Sequence, residues 1–577
     1  MINQELSQIF SQMADFLEMG EVDFRSRAYH KAARFLESLE KDIEDIYKEG
    51  GIKMLEDLPS IGESLAKKIE EFIKTGRIKS YQKFKKQCPV DLESLKKVEG
   101  LASKKIKVLY KKLGVRNLKD LENAAKQGKI RSIEGFGEKS EKNILESINF
   151  AQTSQGRILL GLALPLAQEI TTRLKKLPQV GRVSSAGSLR RMKETIGDID
   201  ILITSSKPKP VMDFFVKMSE VARVWAKGPT KSSIHLKAGI DCDLRVVKKE
   251  SFGSALQYFT GSKDHNITSR RLAKKKGLKL NEYGVFTKKG KRIAGKTEKE
   301  VYKAIGLSYI EPEIRTNTGE IEASLRQIQG RINGLPKLVG YTSIKGDCHV
   351  HSNWSDGMDT IEQMAQAAEK MGYEYLVITD HTKDLKVSNG LNEDQLLRQM
   401  KEIDKINSRL VKLKILKGCE VNIRIDGSLD IKDEVLSQLD VVVAGIHSGF
   451  KMSEKEMTKR LLQVMENPQI DIISHPTGRL ILQRSAYAFD FDEILKTAKK
   501  TKTALEINAH PARLDLSDIL IRKVVEVGVK LVINTDAHSR RGLAVMEFGI
   551  AQARRGWVEK KDILNTKSLK DFLKYFI

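Results

Sequence analysis

Two groups of side chains in this 577-residue chain have the types and spacing of metal ligands. The first is acidic. In AGSLRRMKETIGDIDILI (186–203), Asp198 and Asp200 alternate along a predicted strand, and a period of two puts both carboxylates on one face. Asp243, in CDLRVV, stands on a later strand. Three converging carboxylates can hold two Mg²⁺ ions, one lowering the pKa of an attacking hydroxyl, the other neutralising a triphosphate and its leaving pyrophosphate. Just ahead, Gly187 and Ser188 open a helix and offer backbone and hydroxyl donors to phosphate oxygens. Arg190, Arg191 and, beside Asp243, Arg245 add complementary charge.

The second group is rich in imidazole. Seven of the ten histidines lie between His349 and His538. HVHSNWSDG supplies His349, His351 and Asp356, and His-x-His on a strand is expected to place both rings on one face. ITDH adds His381, GCEV adds Glu420, AGIHSG adds His447, IISHP adds His475, and INTDAH closes with Asp536 and His538. Nine nitrogen and oxygen ligands suit two or three borderline cations such as Zn²⁺ or Mn²⁺. Such a cluster makes hydroxide at neutral pH and clamps a phosphoryl oxygen. Asp380 is expected to orient a ligand rather than bind metal. In NAHPARLDL, His510 reads as a lip residue, and Arg513 is available to a substrate phosphate.

The elements that must position these groups follow from apolar periodicity. From residue 346 apolar strands alternate with helical stretches and end in DCHVH, YLVITDH, KILKGCE, VVVAGIH, DIISH, ALEIN and LVINTDAH. That alternation predicts a parallel sheet, open or closed, whose strand ends gather on one face. Residues 151–318 read as mixed α/β, with strands at 199–204, 240–247 and 284–289, and residues 316–345 read as a polar linker. Residues 1–150 read as helical. Within them LPSIGESLAKKIEEF, VEGLASKKIKVLY and IEGFGEKSEKNIL repeat a glycine turn before a lysine-bearing helix. Gly62, Gly100, Gly135 and Gly137 would let a phosphate backbone approach helix N-termini.

Composition bounds the setting. The 40% hydrophobic and 31% charged residues are those of a globular chain too long for one core. Net charge is +25, and residues 1–350 carry it, with 66 Lys+Arg against 43 Asp+Glu. A surplus confined to one part implies a polyanion partner there. Cys88, Cys242, Cys348 and Cys419 form no CxxC, which suits buried free thiols in a reducing compartment. No apolar run has the length of a membrane span, and MINQELSQIF lacks the pattern of a secretory leader, so a cytoplasmic, nucleoid-associated protein with no membrane partner is expected.

These motifs carry resemblances. The glycine-turn repeats resemble helix–hairpin–helix DNA-backbone motifs, although the second has Ala102 where a glycine is usual. The segment from Gly187 to Asp243 resembles the nucleotidyltransferase superfamily. YFTGS (258–262) with Asn266 and Arg270, LKLNEYGVF (279–287) and VYKAIGLSYIEPEIR (301–315) resemble family X DNA polymerases. There Tyr258 and Phe259 would pack by the nucleotide sugar, Gly261 and Ser262 would line its site, and Asn266 and Arg270 would face minor-groove edges. Lys263 departs from vertebrate relatives, which carry an acid. FRSRAYHKAARF (24–35) with the first repeat resembles the small N-terminal domain of that family, which places at Lys68 a lysine able to form a Schiff base with an abasic sugar, supported by Tyr29. A Schiff-base role needs a depressed pKa and a DNA-facing lysine needs none; the residues leave both open. The nine-ligand series resembles the polymerase-and-histidinol-phosphatase (PHP) barrel, a distorted (β/α)7 fold, with His510 where relatives commonly carry Asn.

The resemblance implies a multi-domain α+β and α/β protein. Its parts are an N-terminal helical domain (1–80), a fingers-like helical domain (81–150), a palm (151–252), a thumb (253–318), a linker (319–345) and a PHP phosphoesterase (346–577). It implies a monomeric DNA polymerase filling short gaps, with gapped or nicked double-stranded DNA and dNTPs as partners. The barrel would supply 3′–5′ exonuclease activity, with cleavage at abasic sites and cleaning of 3′ ends as further roles. Two other readings stand beside it: a barrel hydrolysing a small phosphomonoester with the front half as a DNA tether, and a non-catalytic DNA-end scaffold.

Overall fold

A computed structural model describes the chain except residues 1, 20–22, 40, 88–89, 97, 99–100, 102, 139, 143, 146–147, 149–155, 331–333 and 577. Gly100, Ala102 and Cys88 therefore lie outside the described residues. The chain divides into two compact units, residues 1–155 with 482–485, and residues 156–481 with 486–577.

The first unit is helical: α1 (Ile2–Met19), α2 (Asp23–Ser38), α3 (Ile43–Glu56), α4 (Glu63–Thr75), α5 (Lys79–Gln87), α6 (Leu92–Lys96), α7 (Ser103–Leu113) and α8 (Leu118–Lys126). In α4, Leu65, Ala66, Ile69 and Phe72 recur on one face and are buried. The helix stops at Gly76, where φ of 68° lets the N–H close on the Phe72 carbonyl at 2.7 Å. One apolar cluster joins Phe10 and Met13 of α1 to Ile69 of α4, Leu95 of α6 and Ile106 of α7. The Lys96 ammonium meets Asp15 of α1 at 2.6 Å. The two helical pieces that the resemblance implies thus share one core around α1.

The second unit opens with β1 (Ile158–Leu159), α9 (Leu160–Lys175), β2 (Val180–Ser185), α10 (Gly187–Arg190), β3 (Thr195–Ile196) and β4 (Asp198–Ser205). There follow α11 (Pro208–Val216), β5 (Val221–Lys227), β6 (Lys231–Leu236) and β7 (Asp241–Val247). The sheet order is β2-β4-β7-β6-β5, with β4 and β7 parallel and in register, Asp198 beside Asp241 and Asp200 beside Asp243. α12 (Phe252–Thr260) and α13 (Lys263–Lys275) then pack with a three-stranded antiparallel sheet of β8 (Leu278–Asn281), β9 (Gly284–Thr287) and β10 (Arg292–Ala294), and α14 (Glu298–Ala304) follows.

The segment read as a linker contains a helix, α15 (Glu320–Ile328). Glu320 is fully buried, its carboxylate 2.6 Å from His265 Nδ1 and accepting the N–H groups of Asn317 and Thr318 at 2.8 Å. His265 Nε2 in turn meets the Tyr302 hydroxyl at 2.9 Å. A carboxylate from the stretch read as a polar linker is here the partner of a buried histidine.

The rest is a barrel of seven parallel strands in sequential order: β11 (Gly346–Val350), β12 (Tyr375–Ile378), β13 (Lys414–Asn422), β14 (Val441–Gly445), β15 (Ile472–Ile473), β16 (Ala504–Asn508) and β17 (Leu531–Asn534). The first and last strands are linked by a parallel bridge between Val350 and Ala537. An inner layer of Cys348, Val377, Val443, Ile472 and Val532 fills the barrel under Phe572, and an outer layer including Val350, Ile378, Val421 and Ile533 meets the surrounding helices. No helix among the described residues is long and apolar enough to cross a membrane. Cys242, Cys348 and Cys419 are free and buried.

Candidate metal centres in the palm and the barrel

In the palm, the glycine turn and the carboxylates are built against each other. The Ala186 N–H donates to the Asp200 carbonyl at 2.8 Å, and Gly187 has φ of 62°. A Cβ on Gly187 would come within 2.6 Å of Asp200 Oδ2, so only glycine lets this turn lie on the acidic strand. Burial, then the charges of Asp198 and Asp243, push the Asp200 carboxyl up to about 6. That mutual repulsion places the three aspartates in one electrostatic neighbourhood, which a divalent cation would relieve. Lys231 Nζ sits 2.8 Å from Asp243 Oδ2, and Arg245 lies 3.9 Å from the same oxygen while stacking on Phe259 at 4.5 Å.

The remaining nucleotide-site candidates divide. Tyr258 and Phe259 form an edge-to-face pair 5.1 Å apart, both part-exposed. Gly261 has φ of 66°, and Ser262 caps α13 by accepting the His265 N–H. Asn266 is buried, donating to the Tyr258 carbonyl at 2.7 Å and accepting from Gln257 at 2.9 Å, while exposed Arg270 donates to the Asn266 carbonyl at 3.2 Å. Arg190, expected at the phosphates, is engaged elsewhere. Its guanidinium makes a two-pronged pair with Glu298 at 2.9 and 2.6 Å and donates to Thr260 at 2.7 Å. Glu298 also binds fully buried Arg315 at 2.6 Å. Arg191 donates to the Thr260 carbonyl, and burial, then Arg555 and Arg315, lower it to about 10.

In the barrel all nine expected ligands meet in one pocket. Glu420, fully buried, is central. Its Oε1 lies 3.4 Å from His447 Nε2 and 3.0 Å from His475 Nε2, and its Oε2 lies 3.4 Å from His349 Nε2 and 2.9 Å from His381 Nδ1. Asp536 Oδ1 is 3.3 Å from His351 Nε2, and Asp356 Oδ1 is 3.3 Å from His538 Nε2 and 3.8 Å from His381 Nε2. Three overlapping sets have ligand atoms mutually within 4.8 Å: His351, Asp356, His381 and His538; His349, His351 and Asp536; and His381, Glu420 and His447. His351 and His381 each belong to two sets. His475 and Asp536 reach the pocket from positive φ values of 28° and 55°, a strained backbone at ligand positions.

The donor set fits a cluster of divalent cations. The buried His349 Nε2, His351 Nε2, His381 Nδ1, His447 Nε2 and Glu420 Oε2 have no hydrogen bond of acceptable geometry, an arrangement costly without cations. Burial, then the charges of His538 and His381, lower His351 to about 3, which keeps it neutral and able to ligate. Burial opposes ionisation of Glu420, but His447, His349 and His381 together hold its carboxyl well below the usual range.

Supporting residues absent from the sequence reading fix the ligands. His349 Nδ1 meets Glu506 at 2.7 Å, leaving Nε2 for metal; Glu506 also accepts from Asn534 at 2.9 Å and from the His475 N–H at 2.6 Å. His447 Nδ1 meets Asn422 Oδ1 at 2.7 Å, and buried Asp430 holds Asn422. The signal was a charged residue inside the apolar run ALEIN. Asp380 accepts from Ser352, Ser355 and Gln399, so it organises the loop carrying Asp356 rather than orienting an imidazole.

In the helical unit, Lys68 Nζ lies 6.0 Å from the Tyr29 ring centre and bonds Ser64 at 3.0 Å. Burial lowers its pKa. Gly62, Gly135 and Gly137 are exposed with open space where a Cβ would stand, and α4 begins at Gly62 with no side-chain cap.

Comparison with known proteins agrees with this layout. The DNA polymerase beta thumb profile matches residues 255–316, a helix-hairpin-helix domain matches 1–78, a SAM-like helix-hairpin-helix tandem matches 91–149, and the PHP domain matches 347–510. The DNA polymerase/3′-5′ exonuclease PolX of Bacillus subtilis (strain 168) is 40% identical over 575 residues, 99% of this chain and 98% of that one. A probable phosphatase of Thermoanaerobacter sp. (strain X514) is 28% identical over 241 residues, 40% of this chain and 94% of its own length. A probable phosphatase of Syntrophotalea carbinolica is 27% identical over 239 residues, 39% of this chain and 95% of its own length.

Proposed function

The chain belongs to the PolX family of DNA polymerase/3′-5′ exonucleases, and from that premise we propose that it extends primers at short gaps during DNA repair and trims their 3′ ends. The observation that carries this reading is the coexistence of both ligand sets in one chain: three palm aspartates, and nine barrel ligands gathered around Glu420. Mg²⁺ at the palm and Mn²⁺ or Zn²⁺ in the barrel supply, when bound, acidity for a hydroxyl or water and charge for phosphate oxygens.

The residues do the rest. Asp198, Asp200 and Asp243 would hold the Mg²⁺ ions at one face of the sheet, where primer end and triphosphate are to meet. Gly187 and Ser188 receive the outer phosphates, and Tyr258 and Phe259 wall the sugar. Glu298 keeps Arg190, and with it α10, fixed to Thr260 beside the nucleotide segment. In the barrel, Glu506 and Asn422 present His349 and His447 by their Nε2 atoms, and the buried pocket limits the water that can reach a phosphodiester. A 5′-labelled primer on gapped DNA, supplied with dNTPs, Mg²⁺ and Mn²⁺, reads extension and shortening together. The proposal expects both products; a primer left at its starting length would refute it. The probable-phosphatase relatives, whose matches span 40% and 39% of this chain, favour a second use of the same pocket: removal of a 3′-phosphate, scored as conversion of a 3′-phosphorylated primer into an extendable one.

Two further outcomes follow. Protons compete with Mg²⁺ for Asp200, whose carboxyl is raised to about 6, so it is protonated below that pH and ionised above it. The Mg²⁺ concentration giving half-maximal extension should therefore climb as pH falls through about 6, and a flat Mg²⁺ requirement would contradict this. Lys68, lowered by burial in the helical unit, is proposed as the Schiff-base lysine. Borohydride should trap the protein on an incised abasic site, and Lys68→Ala should lose most of that adduct. An undiminished adduct would assign the chemistry to another amine.

A further inference from the structure

Palm and barrel meet at residues that neither metal centre uses. Glu194 lies between α10 and β3, in the turn joining the glycine motif to the aspartate strand. Two barrel side chains grip its carboxylate: Arg479 with Nη2 at 2.7 Å and Nη1 at 3.3 Å, and Gln552 with Nε2 at 2.7 Å. The same two side chains hold the strap 510–516. Arg479 Nε donates to the Arg513 carbonyl at 3.0 Å and Nη2 to the Leu514 carbonyl, and Gln552 Nε2 donates to the Leu516 carbonyl at 3.0 Å. Pro511 of the strap packs on the start of α9, where a Cβ on Gly161 would stand 2.5 Å from the Pro511 Cβ.

This clamp has work to do at the metal pocket. Leu514 is fully buried with φ of 39°, a conformation that persists only where its surroundings enforce it. The bend it makes brings Arg513 Nε to 3.5 Å from Asp536 Oδ2, while Oδ1 of the same carboxylate is the atom 3.3 Å from His351. Asn508 also donates to Oδ2, at 3.2 Å. Among the described residues the Arg513 guanidinium has no acceptor besides Asp536, so most of its five donors are uncommitted at the lip of the pocket. A planar cation in that position matches a phosphodiester oxygen better than any neighbouring group.

We propose that Arg513 grips the phosphate cleaved in the barrel, and that the palm residue Glu194 is a positioning residue for it, acting through Arg479. The inference rests on the barrel being the excision centre. Glu194 balances the charge of Arg479; without it, Arg479 no longer fixes the Arg513 and Leu514 carbonyls, and the guanidinium loses its place beside Asp536. A carboxylate in the polymerase palm thereby sets substrate affinity at the nuclease.

The test uses the full chain, a 5′-labelled single-stranded oligonucleotide, and the variants Glu194→Gln, Arg513→Ala and their combination. Arg513→Ala should raise the excision KM about tenfold or more, the scale of a lost charged phosphate contact. Glu194→Gln should raise KM severalfold, with kcat, primer extension, bound manganese and melting temperature near those of the unaltered chain. Because both act through one contact, the double variant should be no weaker than Arg513→Ala alone. Calorimetric binding of thymidine 5′-monophosphate should weaken in the same order, independently of turnover. If the unaltered chain excises but Glu194→Gln keeps its KM, or if the two losses multiply, the proposal is overturned. If the unaltered chain excises nothing, the nuclease reading itself fails.

Discussion

Asp200→Ala should cut nucleotide incorporation by on the order of 10³-fold or more, with excision of a 3′ terminus left near its original rate. Asp200 is the most constrained of the three palm aspartates. It lies between Asp198 on its own strand and Asp243 on the parallel neighbour, with the Gly187 turn against its carboxylate. Removing it deletes a ligand and also the negative charge that makes the site attractive to two cations. Lys231 and Arg245, already beside Asp243, would then dominate the local field and repel them. Asp200→Asn separates the two effects, since it keeps the shape that the glycine turn packs against while losing the charge. Primer extension at saturating dNTP, followed as kcat, is the measurement. Incorporation within tenfold of the unaltered chain would place catalysis elsewhere.

Glu420→Gln should have the mirror effect: excision down by on the order of 10³-fold, extension preserved. Its two oxygens approach four imidazoles from opposite sides, at 2.9 to 3.4 Å, so one substitution disturbs the whole cluster. A neutral amide lacks the negative charge with which Glu420 would attract cations and is a poorer ligand than a carboxylate. The loss should therefore also appear as fewer manganese ions per chain and as a smaller rise in melting temperature on metal addition, because ligand binding to the native state stabilises by mass action. Without metal the variant and the unaltered chain should melt closer together. Undiminished excision in Glu420→Gln would remove this carboxylate from the centre of the mechanism.

Much of this layout was legible in the sequence because it depends on short-range regularities. Period-two spacing put Asp198 and Asp200 on one face, and parallel pairing with the strand of Asp243 completed the set. Strand–helix alternation announced the barrel, and ligands at successive strand ends announced the pocket. His349 and His351 are the exception to this regularity. The β11 ladder shifts register between Asp347 and Val350 and the strand ends before His351, so the two rings converge through an irregular strand end rather than simple alternation.

What remained hidden depends on partners far apart in the chain. Arg190 and Glu298 are separated by 108 residues and Glu194 and Arg479 by 285, and no periodicity links such positions. Glu320 sits in a stretch polar enough to pass for a linker, yet it is buried against His265. Asn422 looks like an ordinary strand residue, and Glu506, although a charge inside an apolar run, points to no partner until the imidazoles they orient are in place. In each case the decisive fact is which buried charge meets which, and composition does not carry it.

The central claim is that one chain holds two separate divalent-metal centres, one at the palm aspartates and one around Glu420. Anomalous scattering at the manganese edge, from crystals of the full chain soaked in Mn²⁺ and a non-hydrolysable dNTP, tests it most directly. The account predicts peaks at Asp198, Asp200 and Asp243 and a second group of two or three peaks among the barrel histidines. Manganese confined to one of these places, or bound at neither, would contradict it.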